Sequence, residues 1–496
     1  MNRFQTMLML AGAVALSAAP DAATAQMGIP DRPEDIHFAA LEFEPPKASE
    51  YRFETSGGVP VYMMPSHEFP LINITFSFKG GAYLEPGDKV GLASMTGAMI
   101  RRGGTATMSA SDLDEEFDFL AARASAFSGG TRSGASLNSL AANFDEALAL
   151  FIDMLRNPGF QADKVELYRA ETLEKMKQRN DDAGPILTRE WDAMLYGRDS
   201  WQARVPTSAT LESITTSDMR ELHDRIFNPG NLIIGVTGDF EPDEMLAKID
   251  KALAGWNAGP RNPDAPDAHA DFTPGVYHVE KDIPQGKVSI GHRSVKRDHP
   301  DYFALRIMND VLGGSGFTSR ITRKVRSDEG LAYSAGSRLS MPAMQDGEFM
   351  SYYQSKNETV ALAAKLIFEE IDRIRTEPIT QEELETSKAS IIETFPRTFE
   401  SKNATVNLFI NDEWTNRPEG YWESFRDNVQ SVTADEVLRV AQKHLHPDKM
   451  IMMIVGNWDE IKDGDLEGRA SMDDFYGGSN TELPLRDPLT QEPIED

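Results

Sequence analysis

Arg326 and Tyr333 stand seven residues apart in the run Arg326-Ser327-Asp328-Glu329-Gly330-Leu331-Ala332-Tyr333. A guanidinium presents a rigid fork of donors and a phenol presents one more, and neither type has to change protonation at neutral pH to donate. The chemistry open to such a pair is hydrogen-bond donation to an oxygen acceptor. On spacing alone the same residues also read as a surface ion pair and a core aromatic flanking a turn. Just upstream, Gly313-Gly314-Ser315-Gly316 leads through Phe317 and Thr318 to Ser319-Arg320. This run lacks the Lys-Ser/Thr of a phosphate loop and reads as a tight turn into a helix. His444 and His446 are two apart without acidic or histidine companions nearby in sequence, the pattern of a helix end rather than of a metal site. There is no G-x-S-x-G element, and no Ser/His/Asp set can be assembled.

The elements that must position these residues form a long-range repeat. Ser213-Ile214-Thr215 opens a helix that runs to Asn228-Pro229, then an apolar strand from Leu232, then Gly238-Asp239. Ser431-Val432-Thr433 opens another that runs to His446-Pro447, then a strand from Met450, then Gly456-Asn457, displaced by 218 residues. Thr215 with Asp218, and Thr433 with Glu436, make capping-box patterns that satisfy orphan N–H groups at a helix start. Leu148, Phe151, Ile152 and Leu155 keep helical spacing before Pro158, as Val360, Ala363, Ile367, Ile371 and Ile374 do before Pro378. Ile72, Ile74, Phe76 and Phe78 alternate with polar residues, the period of a half-buried strand.

A duplicated unit of about 200 residues is the economical reading. The fold class expected is α+β, with two homologous units, each a mostly antiparallel sheet packed by helices on one face. Their boundaries fall at residues 45–256 and 275–465, with a Pro-, Ala-, Asp- and Asn-rich linker at 257–274. The acidic tail 466–496 carries Pro484, Pro488 and Pro493 and reads as an extended arm over a surface or a disordered segment.

The chain has 496 residues, 40% of them hydrophobic, enough for sizeable cores. A net charge of −29 argues against nucleic acid or an anionic membrane surface as partner. That charge serves solubility and is also compatible with a basic peptide substrate. Arg3, the apolar run Met7 to Ala19 and Ala23-Thr24-Ala25 together read as a secretory signal over residues 1–25. No later stretch has the length of apolar residues that a membrane span needs. Cysteine is absent, which excludes disulfides and any thiolate nucleophile or ligand. Export without disulfides points to a bacterial periplasm.

Three further runs join the Arg326–Tyr333 frame and the glycine turn: Gly80-Gly81-Ala82-Tyr83-Leu84-Glu85, Gly91-Leu92-Ala93-Ser94-Met95-Thr96-Gly97-Ala98 and Gly103-Gly104-Thr105. Together they resemble the insulinase and mitochondrial-processing-peptidase family of zinc metallopeptidases, across roughly residues 45 to 465. The resemblance implies two homologous domains that form half of a clam-shaped chamber. In that family HxxEH puts two imidazoles on one helix face to grip zinc, and its glutamate deprotonates the bound water. Here Ser94 and Ala98 occupy the histidine positions and Gly97 the glutamate position. The third ligand position falls at Lys175 and its supporting glutamate at Tyr168, while Arg169 alone keeps the pattern. No metal is therefore expected on this chain.

By the same resemblance, Tyr333 donates to the scissile carbonyl oxygen as it becomes an oxyanion, and Arg326 anchors substrate. The turn Gly313, Gly314, Ser315 and Gly316 lines the substrate side. The resemblance implies a non-zinc subunit of a heterodimeric periplasmic peptidase, inactive alone, whose zinc-bearing partner of the same family closes with it around an extended peptide. A peptide-binding or structural module on the same fold, without peptidase activity, is the alternative. Ala124 to Gly130 resembles the substrate-contacting glycine-rich loop of non-catalytic processing-peptidase subunits, but its two adjacent glycines equally suit a plain hairpin turn.

Overall fold

The structure, a computed structural model, describes residues 42–494 except residue 269, so the expected signal segment 1–25 lies outside the described residues. The described residues from Glu44 onward cluster as one compact unit. Within it the chain builds two six-stranded sheets. The first contains β1 (Arg52–Glu54), β2 (Pro60–Pro65), β3 (Leu71–Lys79), β4 (Arg123–Ser128), β5 (Arg132–Leu140) and β6 (Leu232–Gly238), in the order β1-β2-β6-β3-β5-β4. The second contains β7 (Gly275–Glu280), β8 (Gln285–Arg293), β9 (Ala332–Ser340), β10 (Glu348–Lys356), β11 (Ile451–Gly456) and β12 (Asn480–Glu482), in the order β12-β7-β11-β8-β10-β9.

The two orders correspond strand for strand, apart from the outer strands β1 and β12. Pairing is antiparallel throughout except at β2–β6, β7–β11 and β7–β12. The chain is thus α+β, with the repeat written into its topology. Both expected capping boxes form. Thr215 N donates to Asp218 at 2.7 Å and Asp218 N to Thr215 Oγ1 at 3.2 Å, and Thr433 and Glu436 exchange bonds of 2.8 and 3.2 Å.

One face of each sheet carries the helical layer that holds the main core. The opposite face receives a helix from the other half of the chain. Helix Ala183–Tyr196 lies on β8 and β11 of the second sheet, and helix Lys402–Trp414 lies on β2 and β6 of the first. This explains why β6 and β11 are buried almost without a break rather than alternately, and apolar but for Thr237: both of their faces are covered. A Cβ at Gly235 on β6 would stand 2.5 Å from Val406 Cγ1, so the glycine is what lets the visiting helix sit down.

Each exchanged helix is fixed by an indole. Trp191 Nε1 donates to Glu348 on β10 at 2.8 Å, and Trp414 Nε1 donates to Ser77 on β3 at 2.9 Å. Around Trp191, Leu187 and Leu195 pack with Met350, Ile451 and Met453, and around Trp414, Phe409 and Ile410 pack with Tyr62 and Ile233. Burial of each such side chain contributes about 1.5–3 kcal/mol.

Among the described residues of 257–274 there is no helix or strand, but the segment is anchored. Asn262 N donates to Asn231 Oδ1 at 2.7 Å and Trp201 Nε1 donates to Pro266 O at 2.8 Å. The acidic tail is an ordered arm: β12 adds parallel to β7, and the chain then crosses to the first half. There Ser208 N donates to Leu489 O at 2.8 Å and Arg179 Nη1 donates to Pro488 O at 3.0 Å. Among the described residues no helix is long and apolar enough to cross a membrane.

Candidate functional site

Tyr333 owes its exposure to a register fault in β9. Ser334 pairs with Gln354 and Ala332 with Ser355, which leaves Tyr333 as the extra residue of a β-bulge. A bulge re-aims a side chain that regular pleating would place against a sheet face. The ring is 84% exposed, in a protein that buries most of its large side chains. The strand is entered through Gly330, whose φ of +67° suits glycine.

Arg326 sits in a π-helical turn, Thr322–Asp328, a geometry frequent at functional sites. Its guanidinium carbon lies 4.6 Å from the Tyr333 ring centroid and 4.4 Å from that of Phe317. The cation is held between two aromatic faces, each exerting an attraction of about 0.5–2 kcal/mol. Among the described residues the guanidinium makes no hydrogen bond or ion pair, so its donor fork is available to a ligand. Phe317, itself 68% exposed, is the member that sequence reasoning missed.

The glycine turn supports this stack. Gly313 lies in the last turn of a second π-helical segment, Asp310–Gly314, and is buried. A Cβ there would stand 2.4 Å from Ser337 N, so Gly313 serves close packing on β9. Gly314 and Gly316 are exposed and Ser315 is half-buried. Gly316 has φ +63° and open space around it, and Ser315 Oγ accepts from Thr318 Oγ1 at 2.9 Å.

Behind the turn, Arg320 makes a bidentate pair with Glu383, both bonds 2.7 Å. Burial works against the Glu383 charge, but the bonds from Arg320 and from the Thr380 backbone prevail and hold its carboxyl down at about 2. Thr322 Oγ1 donates to Ala335 O at 2.8 Å, tying the Arg326 turn to the strand that carries Tyr333.

The vacated zinc positions lie on helix Leu92–Arg102 and helix Ala162–Lys177. Ser94 is exposed, Ala98 packs at the edge of the first core, and Lys175 is exposed. Gly97 is pressed against β4, and a Cβ there would stand 2.2 Å from Ser128 N and 2.5 Å from Phe127 C. The space in which a glutamate would reach is occupied by backbone. Tyr168 lies under Arg102, 5.5 Å from ring centroid to guanidinium. Arg169, the retained position, donates to Leu211 O at 3.0 Å and Ile214 O at 2.9 Å, a structural tie. A hydroxyl, a methyl and an ammonium do not make a zinc site, and these residues do not fit the metal.

The histidine pair picked out in the sequence, His444 and His446, is also accounted for. His299, Asp301 and His444 come together, but the Asp301 carboxylate already accepts from Arg439 at 2.7 Å, Lys443 at 2.9 Å and His444 at 2.8 Å. The hydrogen bond from Arg439 is the largest influence holding that carboxyl well below the ordinary range. His446 turns instead to His292, whose Nε2 accepts from the His446 backbone at 3.1 Å. Ala124 to Gly130 is most of β4 and the start of its hairpin turn into β5, closed by Gly129 N donating to Arg132 O at 2.9 Å.

Residues 66–201 match the family model described as insulinase (peptidase family M16), and residues 213–391 match that described as peptidase M16 inactive domain. The non-peptidase homolog YmxG of Helicobacter pylori is 23% identical over 404 residues, covering 80% of this chain and 92% of that protein. An uncharacterized zinc protease of Mycobacterium bovis is 26% identical over 345 residues, covering 69% of this chain and 78% of its own. Among solved structures, a peptidase M16 inactive domain from Pseudomonas fluorescens aligns with a TM-score of 0.73 at 25% identity, covering 82% of this chain and 97% of that one. A Helicobacter pylori protease aligns at 0.70 and 19% identity, covering 82% and 98%. With both halves matched and the topology duplicated, this chain belongs to the insulinase family, peptidase family M16.

Proposed function

We propose that the chain is the non-zinc subunit of a heteromeric periplasmic metalloendopeptidase. In this reading it forms half of a clam-shaped chamber with a zinc-bearing partner of the same family. It binds no zinc itself: the partner supplies the metal, and this chain supplies peptide binding and the donors at Tyr333 and Arg326. The Tyr333 hydroxyl donates to the scissile carbonyl oxygen and stabilises the charge that develops there. Arg326 grips a neighbouring backbone oxygen with its fork. The exposed part of the turn, Gly314 to Gly316, lies on the substrate side.

The observation that carries the reading is the Phe317–Arg326–Tyr333 stack, a solvent-facing set of unpaired donors held in place by a π-turn and a bulge. A structural fold that had lost all contact with substrate has no need of it. The periplasm is inferred from the leader pattern of Arg3, Met7 to Ala19 and Ala23 to Ala25, and from the absence of cysteine.

A second reading, a peptide-binding or structural module without peptidase activity, is favoured by the closure of β4 on Gly97. A quenched-peptide assay of the chain alone, of a zinc-bearing family member from the same cell, and of their mixture separates the two. Chelator-sensitive activity confined to the mixture supports the trans-acting subunit. Silence of the mixture, with both proteins folded, supports the module, and chelator-insensitive activity of the chain alone overturns both.

A further inference from the structure

A cavity of about 420 Å³ opens between the visiting helix Ala183–Tyr196 and the face of the second sheet that it covers. Its apolar floor is made by Leu187, Trp191, Met350 and Tyr352. Three charged residues line it, Lys287, Asp192 and Arg338. Arg338 pairs with Glu348, whereas among the described residues Lys287 and Asp192 make no hydrogen bond or ion pair. They stand at opposite ends. Lys287 lies across Gly184, its Nζ 2.9 Å from where a Cβ would be, whereas Asp192 is eight residues further along the helix. At 1.5 Å per residue this separates the two ends by roughly 12 Å.

The sheet register agrees. Gln354 pairs with Lys287 on one side and Ser334 on the other, so the cationic end lies beside the residue that follows Tyr333. At the other end Arg338 is already committed to Glu348 at 2.7 Å, and the second Glu348 oxygen accepts from Trp191. Asp192, the carboxylate that lines the cavity, feels the nearby Arg338 charge but accepts no hydrogen bond among the described residues.

We propose that this groove is a binding site for the end of a short peptide, with a free C-terminal carboxylate on Lys287 and a cationic group, an amino terminus or a basic side chain, on Asp192. A span of roughly 12 Å accommodates about three or four extended residues at 3.3 Å each. The apolar floor takes the intervening side chains, with the half-exposed Tyr352 offering an aromatic face. The carboxylate end beside Tyr333 is where peptide hydrolysis at that residue would leave its new carboxylate. The groove thus holds the N-terminal product, a refinement that rests on the peptide-handling reading above.

The test uses the intact chain alone and isothermal titration with a tetrapeptide of sequence Arg-Leu-Phe-Leu. Its free acid, its C-terminal amide and an N-acetyl analogue with citrulline in place of arginine serve as probes. The free acid binds, and each altered probe binds about tenfold more weakly, the scale of one charge-assisted contact. Lys287→Ala erases the difference between acid and amide. Asp192→Asn erases the difference between the cationic and uncharged probes. Wild-type protein that binds acid and amide equally, or binds none of the probes at millimolar concentration, overturns the proposal without reliance on any variant's folding. The two readings separate cleanly. Peptide binding with a silent paired assay keeps the groove and removes the trans-acting role, whereas an active mixture with no peptide binding removes the groove alone.

Discussion

Gly97 and Ser128 are in backbone contact: a Cβ added to Gly97 would stand 2.2 Å from Ser128 N. The helix on which the family resemblance would place two histidines is here clamped onto β4, so packing as well as side-chain identity opposes a zinc site at these positions.

Restoring the motif should accordingly fail. Ser94→His with Gly97→Glu and Ala98→His is expected to take up no stoichiometric zinc by elemental analysis. Gly97→Ala alone should already lower stability by about 1–3 kcal/mol through overpacking, read from urea denaturation. A stable triple variant with one zinc per chain would show that β4 yields easily and that the clamp is not structural.

Phe317 should matter through Arg326. Phe317→Ala removes one face of the sandwich and is expected to lower kcat/KM in the paired assay roughly 2- to 30-fold, the range of one cation–π contact. Phe317→Trp should retain activity. Equal activity of the alanine variant and wild type would remove Phe317 from the site.

The two exchanged helices predict an ordered pair of stability losses. Trp191→Phe strands a buried carboxylate oxygen of Glu348 and should cost about 1–3 kcal/mol. Trp414→Phe removes a bond to the Ser77 hydroxyl, which can re-orient, and should cost about 0.5–1.5 kcal/mol. Urea denaturation of both variants checks the order, and a larger loss at Trp414 would contradict it.

Much of this architecture was legible because it is written locally. Capping boxes are four-residue events, and Thr215 with Asp218 and Thr433 with Glu436 announced both their helices and their repetition. The exchange of helices was not legible. Nothing within Ala183–Tyr196 says which sheet its apolar stripe will cover, since that choice depends on strands far away in sequence. Nor does the sequence reveal that Gly97 is pinned by a backbone or that Tyr333 is a bulge residue, because both depend on how separate strands register. The tail was readable only as an extended arm or a disordered segment, and its pairing with β7 follows from an open strand edge that the sequence does not display.

His292 predicts an acid-side loss of stability. Burial is the largest influence pushing its imidazole down to about 4, against an unfolded value near 6.5. The folded state therefore resists a proton that the unfolded chain accepts. Stability contributed by the neutral ring is complete above about pH 6.5 and is lost as pH falls towards 4, with a limit of about 3 kcal/mol. His292→Gln should flatten the dependence of denaturation midpoint on pH across this window, and an unchanged slope would assign it to other groups.

The central claim is that Tyr333 acts on a peptide bond hydrolysed with a partner's metal. The most direct measurement is single-turnover cleavage of a quenched peptide by the mixture of this chain with its zinc-bearing relative, comparing wild type with Tyr333→Phe. Loss of one oxyanion donor predicts a rate lower by about a hundredfold or more, with peptide binding nearly unchanged. Equal rates for the two proteins would contradict the account.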